Sequence, residues 1–234
     1  MRILALETST EYCSVALWQD GAIHERAVLA GQKHSELLIE MLDAVLREAG
    51  VTLAQLDGIA FGAGPGSFTG VRIACGVAQG LALGADLPVA AISTLQALAQ
   101  ATGRDKVIAA LDARMHEVYH AAYQKDGNNW VTVCAPGLWL PHAAPDVPGT
   151  GWFGAGSGFA AYDDALAKRY DGQLTDCDAE LIPQARAIAQ LAVPVFGAGL
   201  GVDAAQAMPL YLRDKVALKT SEREQQHERN NGRE

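Results

Sequence analysis

The sequence has little positive charge and few cysteines. Its 234 residues include 18 Lys and Arg against 27 Asp and Glu, for a net charge of −9 at pH 7. Because lysine and arginine supply most of the affinity for nucleic acid phosphates, this deficit argues against a protein that binds nucleic acid through its own surface. Cys13, Cys75, Cys134 and Cys177 form no Cys-x-x-Cys pair. Their scatter argues against a cysteine metal site and indicates a reduced cytoplasmic chain.

Long hydrophobic runs are also missing. The first apolar run, at residues 3–6, is too short for a signal peptide. No later stretch reaches the roughly 18 uninterrupted apolar residues of a membrane span. We therefore expect neither export nor membrane insertion. Half of the residues are hydrophobic, and at ~100–200 residues per domain the length allows one large domain or two small ones.

The first half of the chain combines strand and helix patterns. Apolar runs at residues 3–6, 13–18 and 23–29, with an Asp-Gly turn signal at Asp20, predict a strand meander. Apolar residues then recur at helical spacing, and Gly50 follows as a stop signal, which predicts a helix. The apolar positions of this helix include Leu37, Leu38, Met41, Leu42 and Val45.

A glycine-rich loop at residues 62–70 follows a predicted buried strand at 58–61 and precedes a second helix that ends near Gly84. The loop lacks the Gly-Lys-Ser/Thr ending of a P-loop and the spacing of a dinucleotide fingerprint. With Ser67, Thr69 and Arg72 nearby, it would suit an anion. A tight strand-to-helix turn that needs glycine is an equally good interpretation.

Small residues recur at every fourth position of this second helix, in two rows: Gly70, Ala74, Ala78 and Ala82, and Gly76, Gly80 and Gly84. Glycine inside a helix lowers its stability by about 1 kcal/mol relative to alanine. We therefore expect a compensating interaction at these positions. Close approach of another helix would supply it. That helix is either the first helix of the same chain or a helix of a second protein.

The second half repeats the order of the first. Each half opens on an apolar strand that ends in an acid, Glu7 or Asp112, and continues with a run that closes on Asp-Gly, at Asp20 or Asp126. The offset is 105 residues at the acid and 106 at the turn, which favours duplication over chance similarity of short strands. We predict one α/β half at residues 1–103, a second at 104–218, and a polar tail at 219–234 that we expect to be disordered.

The other elements of the second half are predicted from local signals. A strand is expected at residues 130–134 and a second glycine-rich loop at 149–158. Helices are expected at 160–170 and 185–193, the latter ended by Pro194 because proline interrupts helical hydrogen bonding.

His116 and His120 match the His-Glu-x-x-His pattern of zinc proteases. The pattern binds zinc because a helix places residues four apart on one face. The neighbouring residues Val118, Tyr119 and Tyr123 favour a strand. In a strand the two histidines would lie ~13 Å apart, too far to share one metal ion. We therefore predict no metal site here.

No catalytic constellation emerges from the residue types and their order. Glu7 and Asp112 end strands at positions where acids hold magnesium in duplicated nucleotide-cleft folds. No convincing base or nucleophile stands near either acid in the sequence.

Four segments resemble the TsaB (YeaZ) family: ILALETS at residues 3–9, GPGSFTGVRI at 64–73, DARM at 112–115 and PLYLR at 209–213. The GPGSFTGxR run is a specific signature, and the resemblance spans residues 1–217. It implies an actin/Hsp70/sugar-kinase-like (ASKHA) fold of two duplicated α/β halves, in agreement with the repeat.

The resemblance also implies a role. Members of the family are non-catalytic subunits that pair with and activate TsaD, which transfers threonylcarbamoyl to the adenosine next to the anticodon of ANN-decoding tRNAs. TsaE, an ATPase, joins them. The resemblance further implies a homodimer when the protein is alone, and indirect contact with tRNA through the partners.

In that family the first two helices form the pairing surface. The matching residues here are Leu37, Leu38, Met41, Leu42, Val45, Ala74, Gly76, Ala78 and Gly80. The catalytic relative has a His-x-x-x-His metal pair in the helix that here starts near His34. Because Leu38 stands four residues after His34, the resemblance implies no metal site in this chain.

The resemblance implies no cofactor of the chain's own, and ATP or ADP only at an interface shared with a partner. Arg114 is the candidate contact to such a nucleotide or to the partner. A stand-alone enzyme of the same fold is the alternative. An ATP-dependent phosphotransferase would bind Mg-ATP through Glu7 or Asp112, and a metallopeptidase would lose its zinc in His116→Ala.

Overall fold

The computed structural model describes residues 1–213. A meander of three strands opens the chain, and the predicted alternation of helices and strands follows it. The elements are β1 (Arg2–Glu7), β2 (Tyr12–Gln19), β3 (Ala22–Leu29), α1 (His34–Glu48), β4 (Gly58–Gly64), α2 (Phe68–Ala85), β5 (Val89–Ser93) and α3 (Thr94–Ala101). The meander and the first two helices are confirmed.

Within residues 1–213, the second half has five strands, as the first half does, and two α-helices where the first half has three. Its elements are β6 (Lys106–Asp112), β7 (Val118–Asp126), β8 (Asn129–Trp139), β9 (Trp152–Ala155), α4 (Ala165–Arg169), β10 (Leu174–Asp178) and α5 (Ala185–Gly197). Short 3-10 turns lie at Leu53–Gln55, Pro141–Ala143, Ser157–Phe159 and Ala204–Gln206.

Three expectations for the second half are corrected. The helix predicted at 160–170 is shorter, because α4 covers only Ala165–Arg169. The segment at 149–158 is a loop only at its ends, because four consecutive buried residues inside it form β9. Strand β10, which pairs parallel with β9, was not predicted. Helix α5 continues through Pro194 to Gly197. Its last turn is held by Phe196, which packs closely against Gly58 and Gly201.

The two sheets have the same topology. The first has the strand order β3-β2-β1-β4-β5, and the second, read from its opposite edge, has the order β8-β7-β6-β9-β10. The central strand of the first sheet, β1, pairs antiparallel with β2 and parallel with β4. The central strand of the second, β6, pairs in the same way with β7 and β9. The predicted duplication of an α/β unit is therefore confirmed.

Helices α3 and α5 lie between the two sheets. Helix α5, the last α-helix of residues 1–213, packs on β1, β2 and β4 of the first sheet, and α3 packs on β6 and β7 of the second. The two helices also contact each other, with Gln100 donating to Gln190 at 3.0 Å. The boundary predicted at residue 103 stays a prediction, and the predicted tail at 219–234 lies outside the described residues.

Helices α1 and α2 cover the other face of the first sheet. The side chain of Ser67 caps α2 at its start, and Asp86, with a φ of +54°, ends it. Within residues 1–213, α2 is the one helix that is long and apolar enough to cross a membrane by length and composition alone. It packs against β4, and Ala74, Ala78 and Ala82 belong to the protein's own core.

Candidate functional site

The glycine-rich signature loop lies directly on the connection between β1 and β2. The Ser67 amide donates to the Ser9 carbonyl at 2.7 Å, and the Thr8 hydroxyl donates to the Gly70 carbonyl at 2.7 Å. A Cβ at Gly70 would overlap the Thr8 carbonyl oxygen, and one at Gly66 would lie 2.5 Å from the Ser9 carbonyl oxygen. Close backbone approach therefore accounts for these two glycines.

Two of the three polar side chains predicted to suit an anion, those of Ser67 and Arg72, have partners within the chain, whereas Thr69 is exposed. Ser67 accepts a hydrogen bond from the Gly70 amide at 3.3 Å. The guanidinium carbon of Arg72 lies 3.2 Å from the ring centroid of Phe68, and its Nε donates to the Tyr211 hydroxyl at 2.8 Å. Arg72 is thus used to hold the start of α2 against a later part of the chain.

Glu7, the acid at the end of β1, is buried. Its Oε1 accepts a hydrogen bond from the Ser9 amide, and its Oε2 has no partner in the described part of the chain. Burial raises the pKa of Glu7, and hydrogen bonds from Ser9 only partly offset this effect. A Cβ at Gly62 would overlap the Glu7 carboxyl group. The environment disfavours the charged form, whereas a magnesium ligand must be a carboxylate.

Asp112, the matching acid at the end of β6, has both oxygens engaged. Its Oδ1 accepts hydrogen bonds from the Tyr162 hydroxyl at 2.6 Å and the Arg114 amide at 2.8 Å. Its Oδ2 pairs with the Arg114 guanidinium at 3.1 Å. Loss of hydration and the nearby Asp112 raise the pKa of Tyr162 to about 12. The two acids therefore differ: Glu7 is a buried carboxyl group, and Asp112 is a partly exposed one whose two oxygens both have partners.

Arg114 lies on an exposed turn of unusual backbone. Its side chain is 88% exposed. It is the first of three consecutive left-handed residues, followed by Met115 and His116, with φ between +56° and +62°. The predicted contact residue is therefore accessible to a partner or ligand, although one of its nitrogens is paired with Asp112.

His116 and His120 are not on a helix. His120 lies inside strand β7, as predicted, and His116 precedes the strand in the left-handed turn. Tyr170 donates its hydroxyl hydrogen to the Pro145 carbonyl at 2.6 Å, so His120 Nε2 donates to the Tyr170 oxygen at 2.9 Å. Burial lowers the pKa of His120 to about 4. Across residues 1–213 no group of three or more His, Cys, Asp or Glu side chains could hold a metal ion.

The first helix begins on a histidine with a structural contact. His34 is buried, and its Nε2 donates to the Thr10 carbonyl at 2.9 Å. Helix α1 has no side-chain cap, so this bond ties its first turn to the connection between β1 and β2. Leu38, four residues later, is fully buried in the core.

Most of the residues predicted to form a pairing surface point into the chain's own core. Six of the nine are buried: Leu38, Met41, Leu42, Val45, Ala74 and Ala78. Leu37 is half-buried, and Gly76 and Gly80 are exposed. The apolar stripe of α1 reflects its packing on the sheet, which a helical period alone does not distinguish from a binding face.

The outer face of α2 is made of bare backbone. A Cβ built at Gly76, Gly80 or Gly84 would meet no atom of the described residues 1–213 within 4 Å, the helix's own backbone apart. Beside this ridge Leu83 is 78% exposed, and on α1 Ile39 is 52% exposed. Leu83 and Ile39 were missed at the sequence level. The sequence feature that could have identified them is that they are large apolar residues outside the helical stripe that faces the core.

Comparisons with known proteins find relatives along most of the chain. The family model described as "TsaD: tRNA N6-adenosine threonylcarbamoyltransferase" matches residues 26–151, just over half of the chain. The chain is 41% identical over 227 residues to the "tRNA threonylcarbamoyladenosine biosynthesis protein TsaB" of Escherichia coli, covering 94% of this chain and 97% of that one. It is 38% identical to the Haemophilus influenzae protein of the same name, with coverage of 94% and 96%.

A solved structure agrees with these relatives. "YeaZ from Pseudomonas aeruginosa" superposes with a TM-score of 0.83 at 41% identity, covering 90% of this chain and 99% of that chain. The duplicated fold of the ASKHA type, predicted from the repeat and the motifs, is thereby confirmed. Relatives of this identity, over nearly the whole length of both chains, show that the chain belongs to the TsaB (YeaZ) family of tRNA threonylcarbamoyladenosine biosynthesis proteins.

Proposed function

We propose that the chain is a non-catalytic subunit that activates a TsaD protein by pairing with it through α1 and α2. The open ridge of Gly76, Gly80 and Gly84 on α2 carries this proposal. Glycine costs about 1 kcal/mol per helix-interior position relative to alanine. Within residues 1–213, no atom outside the helix's own backbone lies within 4 Å of a Cβ built at these positions. We infer that the compensating contact belongs to another molecule.

Exposed apolar side chains on α1 and α2 also support a pairing surface on the outer face of these helices. On α2 the exposed side chain of Leu83 supplies apolar surface beside a backbone that a second helix can approach closely, and on α1 Ile39 supplies a further exposed apolar side chain. Such a surface serves a heterodimer with TsaD or a homodimer when TsaD is absent. Of the residues predicted from the resemblance, Gly76 and Gly80 belong to this outer face. The six buried residues act by holding the two helices in place.

The environments of Glu7 and Asp112 support a non-catalytic role. A phosphotransferase of this fold would need an accessible carboxylate for Mg-ATP, whereas Glu7 is buried with a raised pKa and both oxygens of Asp112 already have partners in Tyr162 and Arg114. A metallopeptidase would need two histidines converging on one ion, whereas the Nε2 of His120 bonds to Tyr170 in the core.

The remaining partners follow from the family role. TsaE joins the pair, and tRNA is held mainly by the partners because this chain has a net charge of −9. The exposed turn at Arg114 offers a cation to ATP or ADP bound at the shared interface. The chain itself holds no nucleotide or metal in this proposal, and it works in the cytoplasm.

Co-purification with TsaD and an assay of tRNA threonylcarbamoylation with TsaD and TsaE test the proposal. Met41→Glu is unsuitable for this purpose, because Met41 is 8% exposed and a buried charge would unfold the chain. Gly80→Glu places the charge in open space. We expect it to leave the thermal melt unchanged or higher and to weaken pairing at least tenfold, with loss of stimulation.

Gly80→Ala is the matched control for the charge, and it should weaken pairing less than Gly80→Glu does. Pairing of Gly80→Glu with wild-type affinity would refute the assignment of the face. Modification that proceeds at the full rate without this chain would refute the activating role. In that case saturable Mg-ATP binding lost in Asp112→Asn would favour the phosphotransferase.

A further inference from the structure

The segment at residues 207–213, here called the strap, crosses from the first half of the chain to the second. It begins on α2, where the Ala207 carbonyl accepts a hydrogen bond from Gln79 Nε2 at 2.9 Å and lies 3.5 Å from Cys75 Sγ. It ends against the connection between β6 and β7. The strap therefore joins the pairing helix to the turn that carries Arg114.

The first anchor of the strap lies on the signature loop. The Leu210 amide donates to the Ala63 carbonyl at 2.7 Å. A Cβ at Gly64 would lie 3.0 Å from the Leu210 carbonyl oxygen, so the two backbones are in close contact. The Tyr211 ring centroid is 6.0 Å from that of Phe68, and its hydroxyl accepts the bond from Arg72 in the first turns of α2.

The second anchor is the Arg213 side chain, which is 15% exposed. Its Nη2 pairs with Glu117 at 2.7 Å and donates to the Ala113 carbonyl at 3.0 Å, and its Nη1 lies 3.0 Å from Met115 Sδ. These contacts bracket the three left-handed residues of the turn. Non-glycine residues keep this backbone only where the surrounding structure holds them.

We propose that the strap is a positioning element that couples the start of α2 to the turn at residues 113–117, with Tyr211 and Arg213 as its two positioning residues. Only two peptide units separate these residues, a reach of about 7 Å at most. A displacement of either anchor is therefore passed to the other with little slack. The consequence for pairing rests on the proposed function. A partner bound to α2 would find Arg114 on a turn whose left-handed backbone the strap already holds in place.

Native-state hydrogen exchange of the full chain tests the coupling, with wild type, Arg213→Ala and Tyr211→Phe. The hydrogen-bonded amides at 113–117 are those of Ala113, Arg114 and Glu117. In Arg213→Ala we expect their exchange to rise about tenfold, the effect of losing a charge-assisted hydrogen bond. The Leu210 and Val71 amides, which lie beyond the other anchor, should rise about threefold. Tyr211→Phe keeps the ring but removes the acceptor of the Arg72 bond, and it should raise exchange at both ends as well.

Arg169→Ala is the matched control, because it removes another arginine ion pair of the second half, with Asp146, and leaves the strap intact. We expect it to change neither set of amides. Acceleration confined to 113–117 in Arg213→Ala, with Leu210 and Val71 unchanged, would show an ordinary local ion pair and overturn the proposal. Tyr211→Phe decides the question in the same way if Arg213→Ala does not fold.

Pairing with TsaD supplies a second readout that separates this proposal from the proposed function. If wild type pairs, Arg213→Ala should weaken pairing about tenfold and Arg169→Ala should not. Equal pairing and equal stimulation by Arg213→Ala and wild type would overturn the consequence for the partner. If wild type does not pair, the proposed function fails, and the exchange experiment on the isolated chain still decides whether the strap couples the two halves.

Discussion

Alanine at the open positions of α2 should stabilise the chain and weaken its pairing at the same time. Gly76 and Gly80 lie in the helix interior, and in the part of the chain that the structure describes, a Cβ at either position meets no atom within 4 Å beyond the helix's own backbone. Each replacement removes a helix penalty of about 0.8–1.0 kcal/mol without creating a clash. For the double variant we expect about 2 kcal/mol of added unfolding free energy, which for a chain of this length is a rise of roughly 4–8 °C in Tm.

The assay is thermal and chemical denaturation of the chain at a concentration low enough to keep it unpaired, because pairing also stabilises the folded state. Affinity for TsaD is measured in parallel. Two added methyl groups hold an approaching helix away from the backbone, so we expect affinity to fall at least tenfold. Gly197→Ala at the end of α5, where the nearest atom to a Cβ is Met1 Cε at 4.0 Å, serves as the control and should leave pairing unchanged.

Two results would refute this reasoning. A double variant that melts at or below the wild-type temperature would mean that the glycines serve a contact or a bend within the chain. A double variant that is more stable and still pairs with full affinity would mean that the bare ridge is not the interface. The expected combination, higher stability with weaker pairing, is one that a purely structural role of the two glycines does not produce.

Three further predictions concern the core of each half. Gly70→Ala should lower the unfolding free energy by about 2 kcal/mol or more, measured by urea denaturation, because its Cβ would overlap the Thr8 carbonyl oxygen; a loss below 0.5 kcal/mol would contradict the close approach. The pKa of His120 is lowered to about 4 in the folded chain, so the neutral form stabilises the fold above pH ~6.5 and about 3 kcal/mol should be lost as the pH falls from 6.5 towards 4. Denaturation curves at several pH values check this, and His120→Leu should flatten that part of the profile, whereas a wild-type profile flat over the range would be inconsistent with a buried neutral histidine. Burial raises the pKa of Glu7, so its contribution to stability is present below pH ~4.5 and lost as the pH rises through the folded pKa; Glu7→Gln should therefore be at least as stable as wild type at pH 8, and a markedly less stable variant would indicate an ionised Glu7.

The fold was predictable where patterns are local and repeated. The meander, α1 and α2 follow from period and from stop signals such as Gly50, which has a φ of +64°. Strand β10 and the extension of α5 beyond Pro194 were missed because they depend on distant contacts. Thr175 of β10 donates to the Trp152 carbonyl at 3.1 Å, and Phe196 at the end of α5 fills the space left by Gly58.

The sequence predicted that the candidate pairing surface lies on the first two helices, but it did not predict which of their residues are exposed. The spacing of Gly76 and Gly80 indicated close approach to α2, and the structure leaves both positions open. Periodicity could not say which face of α1 is outward, since Met41 at 8% exposure and Ile39 at 52% are both apolar. The partners of Arg72 and Arg213 could not be inferred either. Each contact joins residues about 100 or more positions apart, at separations of 139 and 98.

Because α5 packs on the first sheet, the first half of the chain cannot complete its core early in synthesis. Ile3, Ala5 and Ala60 on that sheet are covered by Ile188 and Ala189 of α5, which leave the ribosome only after most of the second half has been made. Until then one face of the first sheet lacks its cover. An exposed apolar sheet face is prone to aggregation, and contacts of this sequence separation form slowly. The nascent first half is therefore the stage at which we expect chaperones to be needed, and its yield as an isolated fragment should be low.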